Sequence, residues 1–175
     1  MDRFVEYIFF LYFVVHIPIT LLVDSQALIP KSIYPSQLQD LLTWYLKDFK
    51  DAMMAQPPMW FKSFVFCELF LQFPFFFPAA YAFWKGIKNC KWIRIPLIVY
   101  SAHVATTTVA ISFHILAHDF SGSKFIGPDT MEERLKLLSV YLPFLLVPFF
   151  LLIDALFSSA YRDQTVVKGQ KQKRH

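Results

Sequence analysis

A chain of 175 residues that is 56% hydrophobic and 19% aromatic, with a mean hydropathy of +0.43, is too apolar for an ordinary soluble domain and too short for several domains. Its formal net charge of +4 lies mostly in clusters beside long apolar runs, which is the pattern of a topogenic signal and gives a nucleic-acid reading no support. There is no zinc spacing, phosphate loop or GxSxG elbow, and four glycines are too few for nucleotide-binding loops, so neither a metal nor a cofactor is expected.

The first apolar run, Phe4 to Val23, is longer than a signal-peptide core and no small-x-small cleavage site follows it, so it is expected to be a retained span. Within and just beyond it His16, Thr20 and Asp24 are spaced i, i+4, i+8 and share one helix face. Ser36 and Gln39 then have capping-box spacing, and Leu38, Leu41, Leu42, Tyr45, Leu46 and Phe49 recur with helical period. This predicts an amphipathic helix that lies on the membrane surface or caps the bundle, with Gln39, Asp40, Lys47 and Asp51 on its polar face. Pro57 and Pro58 are expected to end it. Lys50 and Asp51 read as surface residues, with capping of the helix junction a second role for Asp51.

The second span runs from Trp60 to Trp84 and carries Glu68 well inside it, where a charge costs roughly 2.5–3.5 kcal/mol on insertion scales. Phe61, Phe64, Val65, Glu68, Gln72 and Phe75 form a stripe at helical spacing. The third span, Pro96 to Ala117, repeats the pattern with His103, Thr107, Ala110 and His114. Gly122, Gly127 and Pro128 mark a turn, and Thr130 with Glu133 makes a second capping box that should start the fourth helix, whose apolar run is Leu135 to Phe157. Asp154, at its far end, is expected to pair with basic loop residues.

Arg3, the cluster Lys85, Lys88, Lys91 and Arg94, and the tail residues Arg162, Lys168, Lys171, Lys173 and Arg174 fall on one side if there are four spans. That side should be the cytosol, with both termini in it. The expected fold is therefore an all-α integral membrane protein, a four-transmembrane-helix bundle with a luminal amphipathic helix between spans one and two. Residues 1–162 form the membrane domain and 163–175 a basic tail, polar enough to be disordered. Cys67 and Cys90 have no plausible disulfide partner.

Pro18, Pro74, Pro78, Pro143 and Pro148 sit inside spans, and each removes a donor and frees a carbonyl one turn back. Kinks at these points leave room between helices, although proline is common in membrane helices without a cavity. Lipid satisfies none of the three polar stripes, so they should converge. Antiparallel packing brings Asp24 and Glu68 to a similar depth if one helix is tilted, Glu68 lying about 12 Å into its span. Two acids close together in such a site cannot both ionise cheaply, so one proton is held between them. A singly negative pair walled by aromatic rings suits a hydrophobic amine, and equally a sterol with one polar end. The plainer readings are that Glu68 bonds a proline-freed carbonyl, that Asp24 faces headgroups, that His103 and His114 pack between helices, and that FPFFFP faces lipid.

The segments LYFVVHIPITLLVDSQALIP, WYLKDFKD, PPMWFKSFVFCELFLQFPFF, CKWIRIP, YSAHVATT and ERLKLLSVYLP cover nearly the whole chain and resemble the receptor branch of the EXPERA family, which also includes the emopamil-binding sterol isomerase. The resemblance implies a ligand cavity opening laterally to the membrane. In it Asp24 pairs with the ligand amine, and Glu68 is the partner acid. It also implies a lining of His16, Ile19, Val23, Trp44, Phe49, Phe61, Phe64, Gln72, Thr107, Val140, Tyr141 and Phe144. Phe144 stands where that branch is expected to have tyrosine, which removes one polar contact to ligands.

The same resemblance implies binding of cholesterol, oxysterols and cationic amphiphiles, control of the Niemann-Pick type C cholesterol transporter, and a homodimer. Its expected location is the endoplasmic reticulum membrane, extending to nuclear and lysosomal membranes. Lys171, Gln172, Lys173, Arg174 and His175 look like a K-x-K-x-x retrieval signal. The functional expectation is a non-enzymatic sterol and amine receptor regulating cholesterol trafficking. Its rival is a sterol double-bond isomerase drawing its acid and base from Asp24, Glu68 and His16, since a site that binds ammonium also stabilises a carbocation. A proton-coupled transporter would need internal repeats that are absent here.

Overall fold

The computed structural model describes residues 2–122 and 127–161, and every regular element within them is helical. Helix α1 spans Arg3–Leu22 and passes through Val23 into a 3-10 turn at Asp24–Ala27; α2 is Ser36–Phe49 and α3 Ala52–Ala55. Then α4, Met59–Cys67, runs through a π-helical turn at Glu68–Gln72 into α5, Phe73–Lys85; α6 is Arg94–Ala117 and α7 Met131–Phe157. Four stretches, Arg3–Ala27, Met59–Lys85, Lys91–Ala117 and Met131–Phe157, are long and apolar enough to cross a membrane, as the four apolar runs predict. The basic tail and its retrieval-like signal lie outside the described residues.

The bundle is built from two close pairs, α1 against α5 and α6 against α7. Phe13 of α1, fully buried, packs against the rings of Phe75, Phe76, Phe83 and Tyr100 at centroid distances of 5.4–6.1 Å. Aromatic contacts of this kind substitute for the hydrophobic drive that lipid does not supply between helices. A second apolar cluster, with Leu42, Met53, Phe61, Ile115 and Leu137, joins α2 and α3 to the other end of the bundle.

At the end that holds the N terminus, the Arg3 guanidinium donates to the Glu6 carboxylate at 2.7 Å and to the carbonyls of Phe83 and Trp84, and Glu6 accepts from the Ile87 amide at 3.2 Å. Buried Glu6 thus has its charge matched, and the last carbonyls of α5 gain donors. Gly86 turns the chain here with φ 92°, and a Cβ on it would come within 2.9 Å of Arg3 Nη1. Gly86→Ala should therefore cost about 1–3 kcal/mol, from backbone conformation and a displaced Arg3. Thermal unfolding of the detergent-solubilised protein reads this as a lowered midpoint.

At the opposite end the predicted capping box forms: Thr130 Oγ1 accepts from the Glu133 amide at 3.2 Å, and Glu133 reaches back to the Thr130 amide. Arg134 donates to the carbonyls of Ile115, Leu116 and His118, closing the open end of α6. The box predicted at Ser36 does not form. Pro35 is the cap residue, Ser36 donates to the neighbouring Gln37, and the Gln39 side-chain Nε2 donates to the Tyr34 carbonyl at 2.8 Å. Nor do Pro57 and Pro58 end α2. It stops at Phe49, Lys50 takes the left-handed conformation at φ 53°, and α3 intervenes. Two ion pairs, Lys50 with Glu133 and Asp48 with Lys136, fasten this corner to α7.

Candidate functional site

The second span does not simply kink at its prolines. Pro74 has no N–H to give, and its ring crowds the carbonyl four residues back, so the chain widens ahead of it and the Phe73 amide bonds the Glu68 carbonyl. The resulting π turn, a device frequent at functional sites, begins and ends on the two polar residues of this span's inward stripe, Glu68 and Gln72.

Both side chains line an internal cavity of about 250 Å³ between α1, α3, α4, α6 and α7, walled also by α2 through Tyr45. The stripe on α1 arrives at the same place. Thr20 donates to Glu68 Oε1 at 2.5 Å, and His16 Nε2 lies 3.7 Å from that oxygen. The Asp24 carboxyl lies within hydrogen-bonding reach of Glu68. Carboxylates only accept, so a hydrogen bond between two carboxyl groups requires a proton on one of them. His16 is fixed by stacking on Phe76, with centroids 4.6 Å apart, and by the Phe144 ring at 4.7 Å.

Of the residues named from sequence, His16, Ile19, Val23, Asp24, Phe61, Phe64, Glu68, Gln72, Thr107, Val140, Tyr141 and Phe144 surround this one cavity. Trp44 and Phe49 do not. Trp44 is 57% exposed on the outer side of α2, and Phe49 turns toward Tyr45 and the Lys136 ammonium, because α2 presents Tyr45 to the cavity instead. Tyr45, Met54, Val65, Val104, Thr108 and Ile111 complete the wall. Val104, Thr108 and Ile111 were within reach of periodicity, being spaced i, i+4, i+7 on the same helix as the His103 stripe but rotated by one residue. Tyr45 and Met54 enter only because the segment between the first two spans folds back over the bundle, which local spacing does not signal.

The histidines of α6 stand apart from the cavity. His114 stacks on His118 at 4.2 Å and meets the edge of Trp60 at 5.0 Å, outside the cavity, and His103 does not line it either. Asp154 is faced by Tyr161 and Ser158.

Asp51 corrects the sequence reading most sharply. It is buried, caps α3 by accepting from the Met54 amide at 3.0 Å, and accepts from the hydroxyls of Tyr45 at 2.8 Å and Tyr141 at 2.6 Å. Burial pushes its carboxyl above the ordinary range, with the tyrosine and backbone donors opposing. The Tyr45 phenol is pushed up as well, by burial and then by the adjacent Asp51. Both tyrosines also line the cavity, so Asp51 holds two pieces of its wall. Among the described residues no group of three or more His, Cys, Asp or Glu could hold a metal ion.

Residues 37–155 match the family model described as EBP: EXPERA (EXPanded EBP superfamily). The chain is 60% identical to "Sigma intracellular receptor 2" of Xenopus tropicalis over 162 residues, 93% of this chain and 94% of the relative. It is 53% identical to "Sigma intracellular receptor 2" of Homo sapiens over 163 residues, 91% of this chain and 92% of the relative. It is also 30% identical to "Efficient mitochondria targeting-associated protein 19" of Saccharomyces cerevisiae over 146 residues, 78% of this chain and 88% of the relative.

Proposed function

The chain belongs to the EXPERA family, and from that premise we propose that it is an intracellular membrane receptor that binds hydrophobic cationic amines and sterols inside the bundle. The observation that carries this reading is the Asp24–Glu68 pair, set in an otherwise mostly apolar and aromatic cavity with Thr20 and His16 beside it. An ammonium placed there gains charge pairing with the acids and cation-π contact with rings such as Phe61, Phe64 and Phe144. A sterol places its single polar group at the acids and its rings along Ile19, Val140 and Ile111. In this reading Asp24 is the partner of the amine and Glu68 the acid that orients it.

The receptor resides in the endoplasmic reticulum membrane with both termini cytosolic and the α2–α3 corner in the lumen. It regulates cholesterol trafficking through the Niemann-Pick type C transporter and works as a homodimer. The relatives at 53% and 60% identity carry the name of an intracellular receptor, and this favours a binding role over catalysis.

The family also takes its name from EBP, and Glu68 with His16 has the residue types for proton transfer to and from a sterol alkene. One experiment separates the two readings. Purified protein is given a Δ8 sterol, double-bond migration is followed, and binding of a radiolabelled hydrophobic amine is measured for wild type and Glu68→Gln. Tight amine binding weakened at least tenfold by Glu68→Gln, with no sterol turnover, is the expected result. Turnover abolished by Glu68→Gln would make the protein an isomerase.

A further inference from the structure

The far end of α6 carries two histidines that the cavity does not use, His114 in the last turn and His118 as the cap residue. They are spaced i, i+4, the spacing at which two imidazoles on one helix face hold zinc. Their rings lie side by side, with centroids 4.2 Å apart and planes 24° from parallel. His118 is exposed and His114 half-buried, so an ion from solvent reaches the pair. Among the described residues no group donates to or accepts from their ring nitrogens, which leaves a lone pair of each neutral imidazole available.

The surroundings hold the pair in place. The Trp60 ring of α4 meets His114 edge-on at 5.0 Å, and Phe120 meets His114 at 5.5 Å and His118 at 4.8 Å. Phe120 is wedged in turn, since a Cβ on Gly127 would come within 2.6 Å of it. Arg134 fixes the backbone by donating to the carbonyls of Ile115, Leu116 and His118. Asp119 interacts electrostatically with both His118 and Arg134, so it offsets the positive charge that the guanidinium brings to this corner. Bonds of about 2.0–2.1 Å put two nitrogens on a tetrahedral zinc roughly 3.3 Å apart, so rings already 4.2 Å apart need to tilt together by only about 1 Å. We propose that His114 and His118 form a two-imidazole site for a divalent transition-metal cation of the zinc and copper class, with water in the remaining positions. Imidazole suits these ions, whereas calcium and magnesium need oxygen ligands. The bound ion bridges one helical turn and stabilises the corner on which Trp60 rests.

The test uses the untagged full-length protein in detergent, stripped of metal with a chelator and titrated with Zn²⁺, Cu²⁺ or Ca²⁺. Zn²⁺ at tenfold its dissociation constant should raise the thermal midpoint by about 3–6 °C, and Ca²⁺ should leave it unchanged. Bound Cu²⁺ should show nitrogen hyperfine coupling from two imidazoles in its electron paramagnetic resonance spectrum. His114→Gln and His118→Gln should each weaken Zn²⁺ binding at least tenfold, and His118→Cys, which supplies another zinc ligand at the same place, should recover the Zn²⁺ shift. Each variant is compared with its own metal-free midpoint, which separates loss of the ion from loss of ring packing. A Zn²⁺ shift that survives the double Gln variant would place the ion elsewhere, at His16 and the acid pair or at His175, and overturn the assignment. An equal shift with Ca²⁺ would reduce the effect to surface charge and overturn it as well, as would the absence of both the Zn²⁺ shift and the nitrogen coupling.

Discussion

Asp24→Asn should weaken binding of a hydrophobic amine by at least a hundredfold while leaving the protein folded. The substitution keeps the size and one acceptor of the side chain but removes the acid that lies beside Glu68 in the cavity wall. Truncating one partner of a desolvated, hydrogen-bonded charge pair costs about 2–5 kcal/mol, and an amine in this cavity has no bulk water to fall back on. Radioligand saturation reads the loss, and an unchanged thermal midpoint shows that the loss is in binding. Unchanged affinity would remove Asp24 from the site and leave Glu68 as the sole anchor.

The second large effect concerns stability. Asp51→Ala strands the Tyr45 and Tyr141 hydroxyls and the Met54 amide, which all converge on one buried carboxyl. Unsatisfied buried groups cost about 1–3 kcal/mol each, and with partial relaxation the sum is roughly 2–4 kcal/mol. The thermal midpoint should fall by about 5–15 °C, and amine binding should weaken with it because two cavity walls lose their anchor. Asp51→Asn retains acceptors and should recover most of the loss.

Asp51 also carries a pH signature. Its carboxyl is raised in the folded protein by burial, so from about pH 4 upward to the raised value the folded state holds a proton that the unfolded chain has released. Stability therefore falls as pH rises through that window. The midpoint difference between wild type and Asp51→Asn should change across it, and a constant difference would contradict the assignment.

The four spans, the start of α7 and the face shared by His16, Thr20 and Asp24 were legible in the sequence because each is written in local terms: apolar length, a capping box, i to i+4 spacing. The meeting of that face with Glu68 was legible by a different route, since a buried acid in a lipid span needs a partner and α1 offered the nearest set. What spacing could not supply was anything fixed by return of the chain. Asp51 sits in a polar sequence context that looks like solvent, and only the fold-back of α2 and α3 onto α7 buries it between two tyrosines. The π turn was hidden for a related reason. Pro74 announces a disturbance, but spacing alone does not decide whether the helix kinks or gains a residue. Trp44 and Phe49, placed in the wall by family resemblance, yield that position to Tyr45, which lies between them on α2 and presents a different face.

In the proposed binding mode an amphiphile lies inside the bundle with its charged end at Asp24 and Glu68. A photoreactive hydrophobic amine, crosslinked to the purified protein and mapped by peptide mass spectrometry, tests it most directly. Labelling should be confined to peptides carrying Ile19 to Asp24, Phe61 to Gln72, Val104 to Ile111 and Val140 to Phe144, and abolished by excess unlabelled amine. Displaceable labelling only on lipid-facing residues away from the cavity, such as Trp92, Phe113 or Phe157, with none on those peptides, would overturn it.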